Sequence, residues 1–322
     1  MKRLSLVLLA SMAGGCATAS PPAAAPRADS TPPAEPSSAG SPRLAALHDE
    51  LRAVIRQHGA DTVVVAVALR DLATGDSLLL DAHTPLHAAS TMKVPVMLQL
   101  FRLADEGVLS LEDSLPLRNE FISIADGSRY TLSASADSDT AIYARLGQKA
   151  TVRELIDRMI TRSGNLATNL LIDLAQPRRI AATLAGLGAG EMRVLRGVED
   201  GPAYRAGLNN TTTAYGLMKT LAAIAAGRAA SPAATQEMLE ILARQEFRDL
   251  IPAGLPASVR VANKTGWIPG IHHDGAVVFP EGRAPYVLVV LTRGFQQTPA
   301  AQQTARAISA RVYAALTARR DG

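Results

Sequence analysis

The sequence predicts an α+β domain: an antiparallel β-sheet built from both chain ends with flanking helices, and an all-α subdomain inserted between the two halves of the sheet. Three observations carry that expectation. Val-rich and Leu-rich runs at 62–69 and 77–80 read as strands, joined by Ala73-Thr74-Gly75-Asp76 as a hairpin and not as the start of a βαβ unit. From Ser90 to about Gln245 the apolar spacing turns helical, with no convincing strand. Strand patterns then return at 258–264, 276–279 and 286–292, ahead of a last helix from about Pro299 to Ala318. The expected domain is 43–322, with its α/β part in 43–89 and 247–322 and its all-α part in 90–246.

The N-terminus lies outside this domain. Met1-Lys2-Arg3 precedes an apolar run over 4–13 and then Gly14-Gly15-Cys16. A basic start, a short apolar core and small residues after it make a secretory signal, too short for a permanent membrane span. Two cleavage sites compete. Ala13-Gly14-Gly15-Cys16 resembles a bacterial lipobox, with Ala where Leu is usual, and would end the signal at Gly15 and lipidate Cys16, the chain's one cysteine. Ala17-Thr18-Ala19 would serve ordinary signal peptidase, giving a signal over 1–19. Either way the domain is exported, as a periplasmic protein that is soluble or attached to the membrane through Cys16. Residues 20–42 follow as an Ala/Pro-rich linker, with seven prolines from Pro21 to Pro42. Such a segment buries no core and reads as an extended tether.

Within the domain, Ser41-Pro42 offer an N-cap and first helical residue. Leu44, Leu47, Leu51, Val54 and Ile55 form the helix's apolar stripe, and Gly59 ends it. Val94, Val96, Met97, Leu98, Leu100, Phe101 and Leu103 make a second, strongly apolar helix after Ser90. Thr151-Val152-Arg153-Glu154 is a capping box ahead of Leu155, Ile156, Met159 and Ile160. Ser163-Gly164-Asn165 breaks that helix, and another resumes over 166–175. Residues 188–210 hold five glycines and one proline with little periodicity, and read as a long functional loop. Two further helices are expected over 211–226 and 231–245, the second opening on Ser-Pro. In the tail, Pro280-Glu281-Gly282-Arg283 is a turn between strands.

Composition narrows the function classes. The 322 residues are 48% hydrophobic and 19% charged, ample for a sizeable core. The net charge of +4 is small, and no Lys/Arg cluster is interleaved with aromatics, which argues against nucleic-acid binding. Only five lysines occur, at 2, 93, 149, 219 and 264. In a chain that prefers Arg so strongly, a lysine at a motif position stands out.

Three short stretches fall where regular elements break: Ser90-Thr91-Met92-Lys93, Ser163-Gly164-Asn165 and Lys264-Thr265-Gly266. Ser and Lys three apart at a helix start lie one turn apart on one face, so a buried amine with lowered pKa can take the hydroxyl proton. Each motif alone has a bland reading: Ser163 as a helix cap, Asn165 as a turn residue, Lys264 as an edge-strand lysine. Together, in this order and on these elements, they resemble the set shared by class A serine β-lactamases and penicillin-binding proteins. The resemblance covers essentially 43–322.

The resemblance implies a serine hydrolase that opens a β-lactam amide and contributes to β-lactam resistance. It implies no metal or organic cofactor and a monomer whose partner is its small-molecule substrate. Ser90 would be the nucleophile and form an acyl-enzyme. Lys93, or Glu199 through a water, would take the first proton, an alternative that the sequence leaves open. Ser163 would relay a proton to the leaving nitrogen. Asn165 would hold the substrate's acyl amide, and Lys264 and Thr265 its carboxylate. The amide after the third motif, that of Trp267, would join the Ser90 amide as an oxyanion donor, with Gly266 leaving room for substrate along the strand. Deacylation would fall to Glu199, 36 residues after Ser163, with the adjacent Asp200 as the competing carboxylate. A DD-peptidase or a slow-turnover penicillin-binding lipoprotein is the alternative reading.

Several positions depart from the family pattern. Gly164 replaces the usual Asp of the second motif. Gly197 falls where an Arg usually pins the loop, and Ala203 where an Asn helps seat the water. The stretch between the first two motifs is longer than usual and carries Tyr143, either a cleft residue or a core tyrosine. Tyr286 replaces a substrate-facing Arg, leaving Arg293 as the candidate extra cation. His272-His273-Asp274 invites a metal reading, but adjacent strand residues face opposite ways, so the trio reads as structural.

Overall fold

The computed structural model describes residues 42–58 and 62–318. The leader, Cys16, residues 20–41 of the 20–42 linker, Ser41 as a cap and Gly59 as a helix end lie outside the described residues, and Pro42, the linker's last residue, instead opens the first helix. Among the described residues no helix is long and apolar enough to cross a membrane.

Helix α1 (Pro42–His58) leads into β1 (Val64–Asp71) and β2 (Ser77–Leu80). The chain returns to the sheet with β3 (Arg260–Ile268), β4 (Ile271–Phe279) and β5 (Tyr286–Arg293), and ends in α9 (Thr298–Thr317). The strand order is β2-β1-β5-β4-β3, antiparallel throughout, so the chain ends meet at the β1–β5 pairing, where Val67 faces Val290. The mixed helical and antiparallel architecture expected from the sequence is present.

Alternation divides the sheet between two cores. Val65, Val67, Leu69, Leu288 and Val290 turn to the layer of α1 and α9. Ala66, Ala68, Val287, Val289 and Leu291 turn to the helical lobe. Burial on both faces explains the near-continuous apolar runs of β1 and β5.

In the lobe, α2 (Lys93–Asp105) is buried along almost its whole length and packs against α3 (Val152–Thr161), α4 (Asn165–Ala175), α5 (Pro177–Gly186) and α8 (Pro232–Ala243). Its Pro95 stands in the first turn, where an N–H has no helical partner to lose. Between α5 and α8 lie the five-residue α6 (Gly201–Arg205) and α7 (Ala214–Ala225); α7 packs on β1 and β5. The Thr151 hydroxyl caps α3 by accepting from the Glu154 amide at 3.1 Å. The reciprocal half of the expected box is not made, because the Glu154 carboxylate pairs with Arg145 and Arg158 instead.

Two expectations are corrected in detail. The lobe does carry strands: short ladders pair Ser114–Pro116 with Lys149–Thr151 and Phe121–Ile122 with Arg129–Tyr130, and Leu86–His87 pairs with Thr211–Thr212. Runs of two or three residues are too short to leave a periodic signal. The 188–210 stretch, read as irregular, contains α6 and closes on itself where Arg193 and Thr211 exchange backbone hydrogen bonds at 2.9 Å. It is a compact loop with joined ends.

Candidate active site

Ser90 lies in a 3₁₀ turn, Ala89–Met92, that runs directly into α2. The turn is fastened from several sides. Ala88 N–H donates to the Asn210 carbonyl at 2.9 Å, and the Thr91 hydroxyl to the Ala88 carbonyl at 2.7 Å. From β4, His273 Nδ1 accepts the Thr292 amide at 3.1 Å, which leaves Nε2 to donate to the His87 carbonyl at 3.0 Å. Burial pulls His273 down to about 4, so the ring is neutral in this role. His272 faces the other way, as alternation requires. Asp274 accepts from Asn263 Nδ2 and the Ile251 amide; burial pushes its carboxyl up to about 6.

Lys93 follows Ser90 and is fully buried. Its ammonium donates to the Ser163 carbonyl at 2.7 Å, Asn165 Oδ1 at 3.0 Å and Ser163 Oγ at 3.3 Å. From β3, the Lys264 ammonium reaches the same Ser163 hydroxyl at 3.0 Å and the Thr265 carbonyl at 2.9 Å. One hydroxyl thus sits between two buried amines. Burial pulls Lys93 down to about 7, against the raising pull of Asp137 and Glu199. Burial and the nearby Lys93 hold Lys264 well below the usual lysine range. Two charges cannot share so dry a place without cost, and proton loss relieves it.

Glu199 comes from the closed loop. Its Oε1 accepts from Asn165 Nδ2 at 3.1 Å and its Oε2 from the Ser133 amide at 3.2 Å. Asn165 therefore joins Glu199 to Lys93 through the two ends of one amide. Asp200 turns away: it accepts from the Ser123 hydroxyl, the Ile124 amide and the Ala203 amide, and caps α6. The two adjacent carboxylates are separated by backbone geometry, with Glu199 in the left-handed region at φ 58°. Ala89 (φ 45°) and Ser163 (φ 58°) share that conformation. Strained non-glycine residues gather here, as they do where geometry is held for chemistry.

The absence of an Arg at 197 has a structural answer one residue earlier. Arg196 is buried and donates to the Leu208 carbonyl at 2.8 Å, the Gly197 carbonyl at 2.9 Å and Asn209 Oδ1 at 2.9 Å. It pins the loop. Gly197 has no room for a side chain, since a Cβ would lie 2.5 Å from Asn169 Oδ1.

Beside these groups lies a cleft of about 390 Å³, lined by Ser90, Ser163, Asn165, Thr265, Gly266 and Trp267, with Asp137, Ser138, Phe247 and His272 among the remaining walls; Lys93, Lys264 and Glu199 are not part of its lining. That is the size of small-ligand sites. Gly266 brings β3 close to the Ser90 turn: a Cβ would lie 3.1 Å from the Ser90 nitrogen. Trp267 is exposed on the rim, and its indole N–H donates to His272 Nε2 at 3.1 Å. The cleft lining does not include Arg293, which is exposed at the end of β5. Tyr286 lies in the α1/α9 core. His272 is the basic side chain of the lining. Tyr143 is half-buried, and its hydroxyl donates to Asp137 at 3.0 Å. Sequence reasoning read His272, which lines the cleft, as structural, and missed Asp137, Ser138, Arg196 and His87. Of these, only Arg196, next to the expected pin position, left a local signal.

Comparison with known proteins bears on the family and the fold. The model of the β-lactamase enzyme family matches residues 46–316. A β-lactamase of Streptomyces albus G is 32% identical over 168 residues, 51% of this chain and 54% of that protein, so the chain spans about half the length of this relative. Among solved structures, an ancestral class A β-lactamase reconstructed for Gram-negative bacteria is 27% identical, covers 84% of this chain and 99% of its own, and superimposes with a TM-score of 0.71. PBP-A, at 23% identity and a TM-score of 0.71 over 84% of this chain and 96% of its own, shares the fold.

Proposed function

Because the chain belongs to the β-lactamase enzyme family, we propose that it hydrolyses β-lactams through an acyl-enzyme on Ser90, released by water that Glu199 activates. The observation that carries this reading is the hydroxyl of Ser163 held between Lys93 and Lys264, with Glu199 tied to the same cluster through Asn165.

In the proposed sequence, Lys93 takes the Ser90 proton; at about 7, a large share of it is the neutral amine at neutral pH. Ser90 Oγ attacks the lactam carbonyl. The developing oxyanion is met by the amides of Ser90 and Trp267, each such donor being worth about 3–4 kcal/mol of barrier. As the C–N bond breaks, Ser163 passes a proton to the nitrogen, replenished from Lys93. Lys264 and Thr265 hold the substrate carboxylate, and Asn165 the acyl amide. Glu199 then takes a proton from water as its oxygen attacks the ester carbonyl, and Glu199 returns that proton to Ser90 Oγ as the ester C–O bond breaks. Glu199, not Asp200, takes this role because Asp200 is committed to the Ser123–Ile124 turn and α6.

The leader supports export and membrane attachment through a lipidated Cys16; Cys16→Ala in the full chain would then leave the membrane fraction. The catalytic reading is tested with a chromogenic cephalosporin and intact-mass analysis of wild type, Ser90→Ala and Glu199→Ala. Wild type should turn over and Ser90→Ala should neither turn over nor acquire an adduct, while Glu199→Ala should accumulate an adduct on Ser90. Equal turnover by wild type and Glu199→Ala removes Glu199 from deacylation. A stable adduct on the wild type replaces hydrolase with penicillin-binding protein, and neither turnover nor adduct ends the enzyme reading.

A further inference from the structure

The second motif lacks its usual carboxylate, yet the turn is not short of one. Gly164 has no side chain and little room for one, since a Cβ would lie 3.2 Å from Asp139 Cβ and 3.4 Å from the Arg158 carbonyl. The space is filled by a different segment, residues 137–139. Asp137 is 4% exposed, and its carboxylate accepts five hydrogen bonds' worth of contacts from four donors. The Asn165 amide reaches both oxygens, at 2.9 and 3.0 Å; the Leu166 amide donates at 2.9 Å, the Asp139 amide at 3.0 Å and the Tyr143 hydroxyl at 3.0 Å. The first two are N-terminal amides of α4, whose own N-cap residue, Gly164, offers no side-chain acceptor. A carboxylate suits that end of a helix by hydrogen bonding and by the helix dipole. Next to it, Ser138 Oγ donates to the Arg162 carbonyl at 2.6 Å and the Ser163 carbonyl at 3.2 Å. Asp139 pairs with Arg158 at 2.9 Å and Arg162 at 3.5 Å. Asp137 and Ser138 thus clamp the 162–166 backbone, and Asp139 holds the Arg158 and Arg162 side chains beside it.

We propose that Asp137 is a positioning residue of this active site, supplying from a remote segment the carboxylate that the Ser163-Gly164-Asn165 turn lacks, and thereby holding Asn165 and Lys93 in register with Ser163 and Glu199. The charged groups facing Lys93 are Asp137, Glu199 and Lys264; Asp139 is committed to Arg158 and Arg162. Asp137 acts in two ways. It fixes the backbone of Asn165, whose side chain accepts from Lys93 and donates to Glu199. Its negative charge also favours the protonated form of Lys93, opposing burial. An Asn at 137 would retain one acceptor and place an NH₂ against amide donors, so both effects would fail together. A Glu would keep the charge and lose the fit.

The inference rests on the β-lactam hydrolase reading, so wild-type turnover is established first; without it that reading fails on its own account. Single-turnover acylation by a chromogenic cephalosporin is then followed from pH 5 to 10 in wild type, Asp137→Asn and Asp137→Glu. The Lys93 side-chain titration is followed by NMR in the resting proteins, which needs no substrate and has only five lysines to assign. Asp137→Asn should acylate tenfold or more slowly, with the acid limb and the Lys93 titration both moved to lower pH. Asp137→Glu should slow acylation with its limb and titration nearer the wild-type position. Acylation within twofold of wild type in a folded Asp137→Asn, or a slowed variant whose limb and titration do not move, overturns the proposal. If Asp137→Asn does not fold, Asp137→Glu decides: wild-type acylation there overturns it.

Discussion

Gly266 is the position where a single methyl group should report most directly on the chemistry. In Gly266→Ala the new carbon would lie 3.1 Å from the Ser90 nitrogen, 3.1 Å from Thr91 Cγ2 and 3.2 Å from the Ala88 carbonyl oxygen. Comfortable contacts of this kind begin at about 3.5 Å, so each is short by roughly a few tenths of an ångström. Two of the three neighbours are backbone atoms of a turn that Thr91, His273 and Asn210 fasten in place. The yielding element is therefore β3, an edge strand paired to β4 alone in the sheet. Its retreat widens the gap between the Ser90 amide and Trp267, the two proposed oxyanion donors. Outright loss of one donor lowers kcat about 10²–10³-fold. A displacement of tenths of an ångström weakens rather than removes it, so kcat should fall about tenfold to a hundredfold, or about 1.4–2.8 kcal/mol of barrier. Steady-state turnover of a chromogenic cephalosporin measures this, alongside a thermal melt. Wild-type kcat in Gly266→Ala would refute the argument. A fall in kcat matched by a large fall in Tm would reassign the effect to packing.

Two further substitutions test separate parts of the site. Lys93 is held near 7 in the fold but titrates near the ordinary lysine value when unfolded, so between about pH 7 and 10 the unfolded chain binds more protons and wild-type stability should rise with pH. Lys93→Met removes that dependence, so its melting temperature should exceed that of wild type most at or below pH 7 and the two curves should converge toward pH 10, with catalysis abolished; parallel curves refute the buried-amine account. Asp200→Asn should cost about 1–3 kcal/mol of stability by disturbing three buried hydrogen bonds, read by denaturant unfolding. Its folded fraction should deacylate normally, and accumulation of an acyl-enzyme would move the deacylating role from Glu199 to Asp200.

The strands and helices were legible where a long apolar repeat reaches two cores at once. The runs at β1 and β5 alternate between the α1/α9 layer and the lobe, and the stripe of α2 is apolar because nearly the whole helix is buried. The strands of 114–116 and 121–122 were not legible, because ladders of two or three residues carry no period. Glu199 was legible as a candidate by its spacing from Ser163, but its separation from Asp200 was not. That separation depends on a backbone turn at φ 58° and on Ser123 and Ile124, more than seventy residues earlier, arriving to claim Asp200.

By itself the sequence determined the order of the three motifs and the helix start that carries Ser90 and Lys93, since a helix start and the spacing along it are local properties. It placed Lys264-Thr265-Gly266 at a strand end, whereas they lie inside β3, because a strand's length is set by its pairing partner. Only the tertiary structure decided which groups complete the machinery. Lys93 and Lys264 are 171 positions apart, yet converge on one hydroxyl. Asp137 replaces a carboxylate missing at Gly164, and Arg196 pins a loop whose usual anchor position holds Gly197. The physical reason is the same in each case. A hydrogen-bond acceptor is needed at a point in space, and the fold can bring it from any segment that passes there, so its place in the chain is not prescribed by the motif it serves.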